Sequence, residues 1–275
     1  MALRFEHFEA KLASPCLGAE ISGIDLAQPL TPALAKELEK ALLEFKVLFF
    51  RDQAIGPKEH AAFARHFGAL EIHPFLPAGE TPEVIRFSKD AEVVGVENVW
   101  HSDVSWREEP SLGSVLRALE VPEVGGDTLW ADMEAVYEGL PDDLKERIEG
   151  LRAVHDFVHT FGMALDDAER ARKREEFPPA SHPVVRTHPA TGRRCVYVNP
   201  IFTSHIEGMD AEESDALLER LYAETEVPEY QVRFHWRAGS IAFWDNRSTQ
   251  HLAASDYWPQ KRVMERLTIV GDQPV

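Results

Sequence analysis

The stretch "VWHSDVSW" at residues 99–106 sets an imidazole and a carboxylate two positions apart between two tryptophans. Three chemistries fit it: a surface hydrogen bond, an acid–base pair, or two of the three ligands of a metal site. On an extended strand residues i and i+2 share a face, so His101 and Asp103 would converge while Ser102 points away. The motif alone is cheap. With 12 His and 47 acidic residues in the chain, "HFE" at 7–9 and "HIE" at 205–207 match it as well. A third ligand is needed, and "FWDNRSTQHLAASDYWPQKRVMER" offers His251 beyond a strand that ends near Trp244 and Asp245. His101, Asp103 and His251 would make a two-histidine, one-carboxylate set, which takes one face of an octahedral Fe(II) and leaves three positions open. Three open positions suit a bidentate co-substrate plus O2. A structural zinc site more often closes with four protein ligands, usually including Cys.

Farther along, Arg262 and Arg266 stand four residues apart in "RVMERLTIV". On a strand they share a face roughly 13 Å apart, and two inward guanidiniums grip two different anions. The alternative is two surface arginines paired with some of the 47 acids. The formal charge of −18 repels nucleic-acid phosphates and argues against a DNA- or RNA-binding role. It repels small anions too, so an anionic substrate needs local Arg or Lys.

These residues must be held by a fold. At 275 residues and 44% apolar content the chain can bury a sizeable core. No apolar run approaches the ~18 residues of a membrane span, and the N-terminus lacks a signal-peptide core. Cys16 and Cys195 form no C-x-x-C and no disulfide framework, which points to a reducing, cytoplasmic setting. "TPALAKELEKALLEF" (31–45) opens with Thr-Pro and carries apolar residues at helical spacing. Helices are also expected at 57–68, closed by Gly68, near 131–139 and 141–150, and over 210–226 with Asp210 and Glu213 in capping-box spacing. Strands are expected at 46–51, 83–88, 114–121, 230–236, 240–245 and 263–271, with a hairpin joined by "ATG" near 190. Residues 166–183 read as a polar, exposed insert, and a lid over the site is one reading of 158–183. Helices cluster early and strands late, with no β-α-β alternation and no glycine-rich phosphate loop. The expectation is a single domain over 1–275, mainly β with flanking helices, with a jelly-roll (double-stranded β-helix) core.

The sequence resembles the taurine dioxygenase family of Fe(II)/2-oxoglutarate-dependent dioxygenases. The resemblance runs through most of the chain in short blocks: "LGAEISGIDL", "VLFFRDQAI", "FGALEIHP", "WHSDVSW", "GGDTLWADM", "HPVVRTHPATGR", "YVNPIF" and "WDNRSTQHLAASDYWPQKRVMERLTIVGDQP". It implies Fe(II) held by His101, Asp103 and His251, with 2-oxoglutarate as co-substrate and O2 as oxidant. By position, Arg262 and Thr128 match the residues that hold the distal carboxylate of 2-oxoglutarate. His73 and Arg266 match those that contact the substrate sulfonate in taurine-cleaving members, and Phe161 and Phe202 match aromatic pocket walls. Related halogenases lack the carboxylate present here as Asp103, so oxygen insertion is the implied outcome. If the attacked carbon bears a heteroatom, the hydroxylated product falls apart to an aldehyde and a leaving group such as sulfite.

Selectivity departs from the family's taurine pattern. A tyrosine usually lies three residues after the substrate histidine, where this chain has Leu76. The family's asparagine near the metal motif falls on Glu97 by ungapped count, with Asn98 beside it. Leu76 favours an apolar group, and "YVNPIFTSHIEGM" also looks like the aryloxyalkanoate-cleaving branch. The expected partner is a small anionic organic substrate, taurine- or alkanesulfonate-like, with aryloxyalkanoates and alkyl sulfate esters as alternatives. A homo-oligomer is expected, with no nucleic-acid or membrane partner. His155, His159, His182, His188, His205 and His235 read as surface or supporting residues. The competing class is a catalytically inactive barrel that only binds.

Overall fold

A computed structural model describes residues 4–75, 81–93, 95 and 98–275. The chain begins with β1 (Glu9–Leu12), β2 (Ala19–Ser22), α1 (Pro32–Phe45), β3 (Val47–Phe50) and α2 (Pro57–Arg65). There follow β4 (Ile85–Lys89), β5 (Gly113–Glu120), β6 (Thr128–Asp132), α3 (Met133–Gly139), α4 (Asp142–Ile148) and β7 (Arg152–His155). Next come α5 (Asp167–Glu176), β8 (Ala180–Pro183), β9 (Val185–Thr187), β10 (Arg194–Val196), β11 (Thr203–Ile206) and α6 (Ala211–Thr225). The last third is β12 (Gln231–Phe234), β13 (Ile241–Asp245), β14 (Thr249–Ala253) and β15 (Arg262–Ile269).

Seven strands form one sheet in the order β1-β2-β3-β13-β5-β15-β4, and β12-β6-β14 form a second. All pairs in these two sheets are antiparallel except β2 with β3. Side chains alternate across a strand, so each central strand serves two cores. On β13, Ile241 and Phe243 turn to a cluster with Leu38, Ala41, Leu42 and Phe63 of α1 and α2. Ala242 and Trp244 turn the other way, to Trp130, Val232 and Phe234 of the second sheet. Phe49 stacks on Phe234 at 4.1 Å, and Trp130 meets Trp244 edge-on at 5.7 Å. The molecule is therefore mostly β with several helices, and two sheets face each other across an aromatic core. Each large apolar side chain buried there stabilises the fold by about 1.5–3 kcal/mol. The outer face of β6 and β10 packs against α3 and α6 through Met133, Val136, Leu217 and Leu221.

Several elements depart from expectation. The helix expected from 131 begins at Met133, because "TLWAD" is β6, whose Asp132 caps α3 by accepting from Glu134 and Ala135 N–H. The helix expected to run to Gly68 ends at Arg65. At the start of α6, Asp210 accepts from Glu213 N–H, while the reciprocal capping box is formed at α5, between Asp166 and Glu169. The 166–183 segment carries α5, with no buried residue, and then β8, which pairs with β7.

Candidate metal and co-substrate site

The His-x-Asp pair sits where one short bridge ends in a turn, not within a strand. His101 exchanges both backbone hydrogen bonds with His251 of β14, at 3.0 and 2.8 Å. Ser102 points away and donates to Thr249 O. The turn then bends sharply: Val104 is buried with φ 48°, a left-handed conformation that costs a β-branched residue about 1–3 kcal/mol. Asn246 holds the bend. Its Oδ1 accepts from Asp103 N–H at 2.7 Å and its Nδ2 donates to Asp103 O at 2.9 Å. Behind it, Ser105 is gripped by Asn199 and His155, and His182 bonds the carbonyls of Ser105 and Arg107. Thus His155 and His182 support the ligand turn rather than bind the ion.

The three donor atoms of His101, Asp103 and His251 all lie within 4.8 Å of one another. Asp103 Oδ1 is 3.9 Å from His101 Nε2 and 4.0 Å from His251 Nε2. Those spans are too long for hydrogen bonds and short enough for one ion to touch all three. His101 Nδ1 bonds Val99 O at 2.9 Å, which leaves Nε2 unprotonated for a metal. Burial, with His101 beside it, holds His251 neutral, well below its ordinary range, which is the ligating form. Burial, the largest single influence, would raise the Asp103 carboxyl, but the Arg266 guanidinium, the two histidines and the Ser114 hydroxyl together outweigh it and keep Asp103 ionised well below the usual carboxylate range. Two neutral imidazoles and a carboxylate fit a divalent first-row metal.

Around this trio a cavity of about 90 Å³ is bordered by His101, His251, Thr128, Arg262, Arg266 and Lys89. Thr128 pairs with Ala253 two residues beyond His251, so Thr128 and His251 face the same way. Thr128 Oγ1 accepts from Trp236 Nε1 at 2.9 Å and lies 3.4 Å from Arg262 Nη2. Arg262 Nε donates to Gly126 O. Gly126 has φ 68°, a conformation that strains any residue with a side chain, and a Cβ there would come within 3.2 Å of the Arg262 side chain and press on it.

The opposite end is aromatic. His73 lies 5.1 Å from the Phe161 ring, Phe161 is 6.3 Å from Phe202, and Phe202 is 6.5 Å from His101. His73 Nδ1 accepts from Phe75 N–H, so its proton sits on Nε2, a buried donor with no hydrogen-bond partner among the described residues. Burial, with Arg266 and Arg107 nearby, lowers the His73 pKa to about 3. Arg266 Nη1 donates to Asp103 Oδ1 at 2.6 Å, while its buried Nε has no hydrogen-bond partner among the described residues. Glu71, buried beside this network, pairs with Arg107 at 2.6 Å.

The fold thus gathers His101, Asp103, His251, Thr128, Arg262, Arg266, His73, Phe161 and Phe202. Asn98 is not brought in: it is exposed and borders a separate depression with Tyr222 and Thr225. Leu76 and Glu97 lie outside the described residues. Sequence reasoning missed Asn246, Glu71, Arg107 and Ser114, whose buried hydroxyl donates to Asp103 Oδ2 at 2.9 Å. Asn246 directly follows a strand-ending Asp, a turn signal, but its partner lies 143 residues away.

Residues 9–268 match the family described as taurine catabolism dioxygenase TauD, TfdA family. An alkylsulfatase of Acinetobacter baylyi is 38% identical over 264 residues, covering 93% of this chain and 83% of the relative. An alpha-ketoglutarate-dependent sulfate ester dioxygenase of Pseudomonas putida is 35% identical, with 94% and 88% covered. The crystal structure of a taurine dioxygenase from Burkholderia xenovorans superposes with a TM-score of 0.85 at 37% identity, covering 98% of this chain and 91% of that one.

Proposed function

The chain belongs to the taurine catabolism dioxygenase TauD, TfdA family, an alpha-ketoglutarate (2-oxoglutarate)-dependent oxidoreductase family, and from that premise we propose that it oxidises a small organic anion with an apolar tail, an alkyl sulfate ester ahead of taurine. The observation that carries this reading is the pairing of charges at the substrate end. Two buried donors with no hydrogen-bond partner among the described residues, His73 Nε2–H and Arg266 Nε–H, are available to an anion. The neighbouring carboxylates are already engaged, Asp103 by Arg266 and Glu71 by Arg107. Among the described residues, an ammonium such as taurine carries would meet no uncommitted acid there, whereas an alkyl chain would meet Phe75, Phe161 and Phe202. Burying a charge without a partner costs far more than burying methylenes gains. The similarity to the alkylsulfatase and the sulfate ester dioxygenase points the same way.

His101, Asp103 and His251 would hold Fe(II), and Arg262 with Thr128 would receive the distal carboxylate of 2-oxoglutarate. Bound there, iron and 2-oxoglutarate supply the oxidant from O2, with succinate and CO2 released. The residues of this chain do the positioning. Arg266 and His73 orient the sulfate head, so the adjacent C–H bond is directed at the metal face. The aromatic wall excludes water. Residues 158–183 cover this wall: Phe177 packs on Trp106 at 5.3 Å, and Lys173 lies 5.3 Å over the Phe75 ring. Hydroxylation of the carbon bearing the ester oxygen gives a product whose C–O bond to sulfate breaks as its hydroxyl loses a proton, leaving an aldehyde and sulfate. The two facing sheets support reading the core as a double-stranded β-helix.

The test is a screen at one pH with Fe(II), 2-oxoglutarate and O2, reading succinate and released sulfate or sulfite. Hexyl sulfate, hexanesulfonate, taurine and an aryloxyacetate are compared, and hexyl sulfate should give the highest kcat/KM. Taurine ranking first would refute the apolar-tail argument, and a neutral analogue ranking first would refute the anion site.

A further inference from the structure

Lys89 ends β4, the edge strand of the seven-stranded sheet, and its sequence context "VIRFSK" gives it no functional weight. The strand pairing does. Lys89 lies directly opposite Arg262, Phe87 opposite Met264, and Ile85 opposite Arg266. Directly paired residues of an antiparallel ladder share a face, with Cβ atoms about 4.5–5.5 Å apart. Lys89 and Phe87 therefore project to the side where Arg262, Met264 and Arg266 project, and all five border the same cavity as His101 and His251. Beyond the pair Lys89 and Arg262 the cavity wall becomes apolar, with Phe87, Leu116 and Met264. Lys89 and Arg262 thus put two cations together at the end where Thr128 and Gly126 meet Arg262, apart from Arg266 four residues farther along β15.

We propose that Lys89 is a second cation for the distal carboxylate of 2-oxoglutarate, acting beside Arg262 as a determinant of co-substrate specificity. The proposal rests on the assignment of that end of the cavity to 2-oxoglutarate. In a chain of net charge −18, a dianion is drawn in only where local cations outnumber acids. Arg262 supplies a fixed planar fork, and Lys89, which keeps contacts of its own in the chain, adds a mobile point charge on a flexible stem. The pair favours a 2-oxo acid with a second carboxylate over one with a methyl end.

The experiment is anaerobic calorimetry on the Mn(II)-loaded protein, titrated with 2-oxoglutarate and with 2-oxopentanoate, which keeps the chelating end and lacks the distal charge. Wild type, Lys89→Met and Lys89→Arg are compared. Lys89→Met should weaken 2-oxoglutarate by about 5- to 30-fold and leave 2-oxopentanoate within about twofold, while Lys89→Arg restores most of the loss. Equal weakening of both acids would assign Lys89 to packing and overturn the proposal. So would unchanged 2-oxoglutarate affinity in Lys89→Met, or no recovery in Lys89→Arg. If the wild type binds 2-oxopentanoate as tightly as 2-oxoglutarate, the assignment of the Arg262 end falls, and the role of Lys89 falls with it.

Discussion

The two ends of the cavity are built differently. At the Arg262 end, side chains stand on paired strands, β6, β14 and β15, and the polar groups already meet protein partners: Trp236 on Thr128, Arg262 on Gly126 O. At the His73 end, His73, Phe161 and Phe202 come from turns and short 3-10 segments, and the buried His73 Nε2 donor has no partner among the described residues. A network completed within the protein gives one rigid binding geometry. An uncompleted one carries a desolvation cost that a ligand can remove. The first end therefore suits a co-substrate common to every turnover, and the second suits the molecule that is selected. Between them stands Arg266, on the rigid strand β15 yet bonded to the metal carboxylate.

The largest expected effect is at the shared centre. Asp103→Ala should abolish Mn(II) binding by calorimetry and lower kcat by on the order of a thousand-fold or more. Unchanged Mn(II) affinity would remove Asp103 from the ligand set. At the completed end, Arg262→Met should raise KM for 2-oxoglutarate by roughly 30- to several-thousand-fold, about 2–5 kcal/mol, and leave substrate KM nearly unchanged. If both KM values rose together, the two ends would not be separate sites.

Arg266→Met should raise substrate KM by about 10- to 150-fold. Because Arg266 also partners Asp103, Mn(II) affinity should shift too, whereas His73→Leu should change substrate KM alone. Identical profiles for the two variants would erase the distinction between strand-borne and turn-borne residues.

The ligand turn makes a prediction about pH. Burial lowers the His182 pKa to about 4, below the ordinary 6.5. The unfolded chain then takes up a proton near pH 6.5 that the folded chain refuses until about 4. Stability is full above 6.5 and falls as pH drops toward 4, by up to about 1.4 kcal/mol per pH unit for this one residue. Urea midpoints measured between pH 7 and 4.5 should show a shallower slope in His182→Leu, once the offset from lost hydrogen bonds is subtracted. An unchanged slope would mean that His182 takes up its proton as readily in the folded chain as in the unfolded one. The smallest effect is expected at Asn98: Asn98→Ala should alter substrate KM by less than about twofold, since its side chain borders a different depression. A larger change would extend the substrate end past Phe202.

What could be read from the sequence was what local pattern encodes. Thr31-Pro32 and Asp210 announced the starts of α1 and α6, because caps satisfy helix N–H groups within three residues. Runs such as "VLFF" and "IAFWD" announced strands buried on both faces. β6 and β14 went unread because "TLWAD" and "TQHLA" mix polar site residues into short strands, and so break alternation where the site is built. The residue types at 101, 103 and 251, with the family blocks around them, indicated the metal chemistry. Tertiary structure alone decided how charges are paired. Arg266 reaches Asp103 across 163 residues, Asn246 clamps the ligand turn across 143, and strand register sets Lys89 opposite Arg262. Such contacts depend on which strands become neighbours and in which register, and no local spacing carries that information.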